Sequence, residues 1–162
     1  MGALPQHRTG PPCAPSRGDL IGAAVDTAEE FIARKDGDWS AQRERGRPVI
    51  WMKDIGREGR LGWVREQWTW RIQHNYRVKV LVIERLRLVQ EEGRRAYVAG
   101  ARVGDIEYRF GYWTVGRIGR ARGRWTWGQF GPMAPPEDWE ALLADARRNG
   151  TLVRRDNGTG DA

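Results

Sequence analysis

The sequence predicts an α+β fold: one twisted antiparallel sheet of about five or six strands, with an N-terminal and a C-terminal helix packed on one face. Three observations predict it. Segments with strand chemistry follow one another between residues 47 and 130. The connections between them are short and marked by glycine, too short for the crossover that parallel pairing needs. An amphipathic pattern of helical period stands at each end.

A chain of 162 residues is long enough for one domain with a genuine core. Residues 1–18 hold Pro5, Pro11, Pro12 and Pro15 and read as a disordered tail. Residues 19–153 read as a single α+β domain, and residues 154–162 as a flexible tail.

Asp19 is placed to cap a helix from Leu20. Leu20, Ala24, Ala28 and Phe31 line its stripe, Ile21, Val25 and Ile32 widen it, and Gly37 ends it. Asp26 with Glu29 offers an alternative, capping-box start. Residues 36–47 read as a polar connection and residues 47–53 as a strand, with Pro48 suited to its first position. The run DIGREGRLG is a turn. Val64, Trp68, Trp70 and Ile72 then share one parity, interrupted by Glu66, while Arg65, Gln67, Thr69 and Arg71 take the other. That is a half-buried strand.

From Val78 the run VKVLVI is β-branched, and ERLRLVQEE either continues the strand or turns helical. Read as one strand, Val78, Val80, Val82, Leu86 and Leu88 share a face that Glu84 interrupts. Either a bulge re-phases the strand or a buried carboxylate sits there. Glu91-Glu92-Gly93 and Val103-Gly104-Asp105 read as turns, with a short return strand through Tyr97, Ala99, Ala101 and Val103. Ile106, Tyr108, Phe110 and Tyr112 alternate with Glu107, Arg109, Gly111 and Trp113, the clearest strand, and residues 124–130 supply its partner. Pro135 and Pro136 stop the sheet and start the last helix. Glu137 and Asp138 suit its N-terminus, and Arg147 and Arg148 its C-terminus. Trp139, Leu142, Leu143 and Ala146 form its apolar face, Asn149-Gly150 ends it, and residues 151–153 pack as a short return.

Composition narrows the chemistry. Cys13 is the one cysteine, so neither an intramolecular disulfide nor a Cys-based metal site is available. With His7 in the tail and His74 in the domain, a Cys/His zinc site is not expected either. Any metal would sit on carboxylates; no metal and no cofactor is expected. No phosphate-binding glycine loop or nucleophile elbow is present. No apolar run reaches the ~18 residues of a membrane-spanning helix, and the N-terminus lacks the pattern of a secretory signal. A cytoplasmic setting, without membrane contact, is the expectation.

The charge is +7, and arginine outnumbers lysine 25 to 3. Arginine offers a planar fork for phosphate and stacks on aromatic faces, although a GC-rich genome produces the same bias without any functional demand. The bias concentrates between Ile106 and Gly131, where two aromatic segments flank the loop GRIGRARG. Read as a hairpin, it presents Arg109, Arg117, Arg120, Arg122 and Arg124 against Glu107 alone. Such a basic ribbon is suited to a polyanion. Arg65 and Arg71, on the polar parity of their strand, would extend the patch if they share a face with Arg109, and Arg102 lies nearby. Trp113 and other aromatic faces would stack bases, and Ile118 would sit at the tip as a wedge. The expectation is DNA or RNA binding by phosphate neutralisation and stacking, without catalysis, set against a merely solvated loop. Two other readings stand beside it. In one, the 106–131 hairpin docks a protein partner or a second copy. In the other, Glu66, Glu84, Asp105 and Glu107 converge on a metal as a nuclease, with His74 as acid/base. The pairs Trp68/Trp70 and Trp125/Trp127 read as core more readily than as a binding platform.

Overall fold

The computed structural model describes residues 25–53, 59–93, 102–128 and 130–153. In chain order these form helix α1 (Ala28–Arg45), strands β1 (Ile50–Met52), β2 (Arg60–Ile72), β3 (Lys79–Glu92), β4 (Ile106–Val115) and β5 (Trp125–Trp127), and helix α2 (Pro136–Arg148), with one 3-10 turn at Gly119–Ala121. The strands make one antiparallel meander in the order β1-β2-β3-β4-β5. The α+β class and the five-strand antiparallel sheet agree with the sequence. Leu20 to Ala24, both tails and the return strand through Tyr97, Ala99 and Ala101 lie outside the described residues; Val25 to Thr27, expected inside the first helix, are not helical, and Val103 sits in a turn.

Strand β3 is the middle of the sheet, and its residues Val80 to Glu84 have no exposed surface. It is apolar on both parities. Val80 packs against Ala28 and Phe31 of α1, and Val82 against Trp39. Leu81 and Ile83 pack against Leu142 and Ala146 of α2. Successive side chains of a strand point to opposite faces, so α1 and α2 cover opposite faces rather than the same one. The unbroken VKVLVI run is the cause: a strand apolar on both sides needs cover on both.

Helix α1 starts one residue from the expected box. Thr27 is the N-cap, its hydroxyl accepting from Glu30 N (3.2 Å) while the Glu30 carboxylate accepts from Thr27 N (2.8 Å). Gly37 does not end the helix, and the supposed connection 36–47 is helical as far as Arg45. A glycine there costs about 1 kcal/mol against alanine. Trp39 offsets it two residues later, buried and stacked on Trp70 (centroids 4.6 Å) with Trp68 edge-on (5.1 Å). Helix α2 follows its sequence pattern, with Pro136 in the first turn and Leu142 and Ala146 buried. Its end is held to β2 where Thr69, Asn149 and Thr151 hydrogen-bond one another. Residues 151–153 form no strand.

Strand β2 does carry Trp68, Trp70 and Ile72 on the α1 face, as their parity requires. A bulge between Arg65 and Gln67 then shifts the register. Val64 therefore leaves that face, Arg65 enters it opposite Leu86, and Glu66 turns to the other side. The β4–β5 ribbon locks through glycines: a Cβ at Gly111 would fall inside the Trp127 indole, and one at Gly128 inside the Tyr112 ring.

Candidate nucleic-acid interface

The tip of the β4–β5 hairpin is built from its backbone. Gly116 N donates to Arg124 O (3.0 Å) and Gly123 N to Gly116 O (2.9 Å), closing the loop around the 3-10 turn. Gly119 and Gly123 take φ of +56° and +70°, which other L-residues rarely adopt. Gly116 lies against the carbonyl of Ala121, leaving no room for a Cβ. On this frame Arg117, Arg120, Arg122 and Arg124 are exposed, and none pairs with an acid among the described residues. The Arg117 guanidinium sits 5.5 Å from the Tyr76 ring centre. Ile118 stands 83% exposed between them.

The remaining candidates lie elsewhere. Arg65 and Arg109 do share the α1 face, but both are bound to Glu84, which is completely buried between them. Arg65 Nε donates to Glu84 Oε1 at 2.6 Å, and Arg109 Nε donates to Oε2. Each guanidinium also covers an indole: Arg65 lies 3.6 Å from the Trp39 ring centre and Arg109 4.9 Å from that of Trp127. Burial pulls the Arg65 guanidinium below its ordinary pKa, and Glu84 pulls the other way. The Glu84 ambiguity thus resolves as a buried carboxylate, with the bulge in β2 delivering one of its two partners. Arg71 projects to the opposite face, where its Nε donates to Asp138 Oδ1 (3.2 Å). The expected basic surface uniting Arg65, Arg71 and Arg109 therefore does not form.

The carboxylates do not converge either. Glu66 and Glu84 occupy opposite faces because of the bulge, and Glu66 is held by Arg85 (3.1 Å) and Arg87 (2.5 Å). Burial raises the Glu66 carboxyl, but the Arg87 hydrogen bond and the charges of Arg87 and Arg85 outweigh it and hold it below its usual value. Asp105 accepts from Arg102 N in its turn, and Glu107 is exposed. Among the described residues no three His, Cys, Asp or Glu side chains cluster as a metal site. His74 is a strap at the β2–β3 turn: its backbone N and ring Nδ1 both meet Asp138 Oδ2, at 3.1 and 2.9 Å.

Trp113 is half-buried rather than displayed. It meets Phe31 (5.4 Å) and Trp127 (5.3 Å), with the Lys35 ammonium 4.8 Å above its ring centre. Its Nε1 is buried with no acceptor among the described residues. Here the structure shows what the sequence reading missed. A cleft of about 340 Å³ opens between α1 and the hairpin, lined by Arg34, Lys35, Trp113, Arg124 and Trp125. Arg34 is paired with Asp26 (2.7 Å), whereas Lys35 and Arg124 have no acidic partner among the described residues. The signal was present: Lys35 falls four residues after Phe31, on the buried stripe of the helix, where a lysine is out of place. Trp68, Trp70, Trp125 and Trp127 all pack into the aromatic layer beneath α1.

Comparison with protein-family models, curated proteins and solved structures gives no match to this chain. Among the described residues no helix is long and apolar enough to cross a membrane.

Proposed function

We propose that the protein binds single-stranded nucleic acid, DNA or RNA, through the hairpin tip and the cleft beside it, without catalysis and in the cytoplasm. The observation that carries this is the continuity of two features. Four exposed, acid-free arginines, Arg117, Arg120, Arg122 and Arg124, adjoin a cleft whose rim is Lys35 and Arg124 and whose wall is Trp113 and Trp125. Phosphate neutralisation needs the first, and base stacking the second. Arg65, Arg71 and Arg109 have no part in it, because their charges are spent inside the fold.

Fluorescence anisotropy with short single- and double-stranded DNA and RNA at two salt concentrations tests the reading. Four phosphate contacts on a single strand predict a slope of log K against log salt near −3, taking ~0.7 per contact. Replacing Arg117, Arg120, Arg122 and Arg124 together by alanine abolishes most of that slope. Equal binding by wild type and variant, or no binding at low salt, sinks the proposal.

A second reading, self-association through the hairpin, draws on the exposure of Ile118 (83%) and Phe130 (81%). Light scattering on the eluted protein separates the two: a monomer at all concentrations leaves the nucleic-acid reading alone.

A further inference from the structure

We propose that the outer edge of β2 is a docking groove for an extended basic peptide, bound by strand addition and independent of the hairpin surface. Strand β1 pairs with β2 only at Leu61, Gly62 and Trp63. From Trp68 to Ile72 the opposite edge is taken by β3, while the outer edge has no strand partner among the described residues. Gln73 N donates to Lys79 O (3.0 Å), so Thr69, Arg71 and Gln73 spend their backbone groups on β3. By the alternation of antiparallel pairing, Trp68, Trp70 and Ile72 turn their N–H and C=O groups outward. A row of such groups is a template for another strand.

The edge lies at the bottom of a groove of about 630 Å³, walled by Ile32 and Asp36 on α1, by Asp145 on α2 and by Asn149 just past its end. Five residues of strand span roughly 17 Å, a short peptide's length. The walls select the occupant by shape. Helices stand on both sides of the edge, so a single strand enters, whereas a second copy would bring its own two helices against them.

Charge selects the occupant by chemistry. Asp36 accepts from the indole Nε1 of Trp68 and of Trp70 (3.4 Å for the latter). Both donors are neutral, and no cation among the described residues pairs with Asp36. Across the groove Arg71 is already committed to Asp138 and, at 3.8 Å, Asp145. On a chain of charge +7 this groove is therefore locally acidic, with the Trp70 ring beside the free carboxylate. A lysine or arginine on the α1 side of the added strand meets that carboxylate.

The test uses the full-length protein and the blocked pentapeptide Val-Lys-Val-Lys-Val, followed by amide NMR. The expected result is shifts concentrated at the Trp68, Trp70 and Ile72 amides and the two indole N–H signals. A Val-Glu-Val-Glu-Val peptide and an N-methylated lysine peptide should each bind at least about tenfold more weakly, the first for charge and the second for lost backbone donors. Asp36→Asn keeps an acceptor for the indoles and removes the charge, so it should erase the preference for lysine over glutamate. The proposal is overturned if neither peptide binds, if the shifts fall on the hairpin instead, or if N-methylation changes nothing. Slow hydrogen exchange of these three amides in the free protein also overturns it, because a segment of the chain itself would then fill the edge.

Discussion

Two buried acids decide the residue scale. Glu84 has no exposed surface and holds two guanidinium groups. Glu84→Ala leaves both arginines without their anion in a poorly solvated layer, and should destabilise the protein by about 3–5 kcal/mol. Replacing Arg65, Glu84 and Arg109 together by apolar residues should cost far less, because burying three ions is itself expensive. Urea unfolding of the two variants checks the contrast; equal losses would mean that the triad acts by volume alone. Asp138 makes a pH-dependent prediction. Burial raises its carboxyl, but hydrogen bonds from the His74 ring, the His74 backbone and Arg71 outweigh that and hold it below the ordinary value. A native pKa below the unfolded one, ~3.9, contributes stability that is present above that value and lost as pH falls through the native one. Asp138→Asn lacks this contribution. The gap in urea midpoint between wild type and variant should therefore be widest near neutrality and close under acid, with His74, Arg71, Glu137 and Asp145 as the facing groups. A gap that stays constant down to pH ~2.5 would refute it.

At the scale of elements, the clearest consequence concerns Gly37. It sits inside α1 with open space where a Cβ would go. Gly37→Ala should stabilise the protein by about 0.5–1 kcal/mol, a gain of a few degrees in Tm, because alanine fits the helix and gives up less entropy. Calorimetry that shows a loss would mean that the helix is not continuous there. The same glycine shows where sequence reading stops. Punctuation by Gly37 is a local signal, whereas the helix continues because Trp39 finds Trp68 and Trp70, contacts made far along the chain. Strand β4 and helix α2 were legible because their alternation and capping are local. The bulge at Glu66 was not: it shows in sequence only as a broken parity, and Glu84 shows the same break although the extra residue of its own strand lies five positions on, at Val89. The register shift at Glu66 separates it from Glu84 and carries Arg65 into an ion pair. Of the candidate site, the tip arginines were legible because a loop exposes what it carries. The fate of Arg65, Arg71 and Arg109 depended on strand order and register.

For the whole molecule, the layering sets a gradient of stability outward from β3. Its residues Val80 to Ile83 lie between two strands and beneath a helix on each side. Each of these amides is hydrogen-bonded to one neighbouring strand beneath a helix, so freeing it takes the loss of that strand from the centre of the sheet. They should exchange only through global unfolding, slowed roughly ten-thousandfold or more for a domain of ordinary stability. The hairpin tip has a different construction. Its exposed arginines sit on a few backbone hydrogen bonds around one 3-10 turn, so Arg117 to Arg124 should exchange by local opening, orders of magnitude sooner. The rigid centre and the movable tip meet at Gly111 and Trp127, where the indole lies directly on the backbone of β4. Hydrogen exchange followed by mass spectrometry, with and without a short oligonucleotide, reads both ends of this gradient. The expected outcome is slow exchange of Val80 to Ile83 in either state and a slowing at the tip only when the strand is bound. Protection that rises in β3 but not at the tip would place the ligand elsewhere and leave the arginines as a solvated loop.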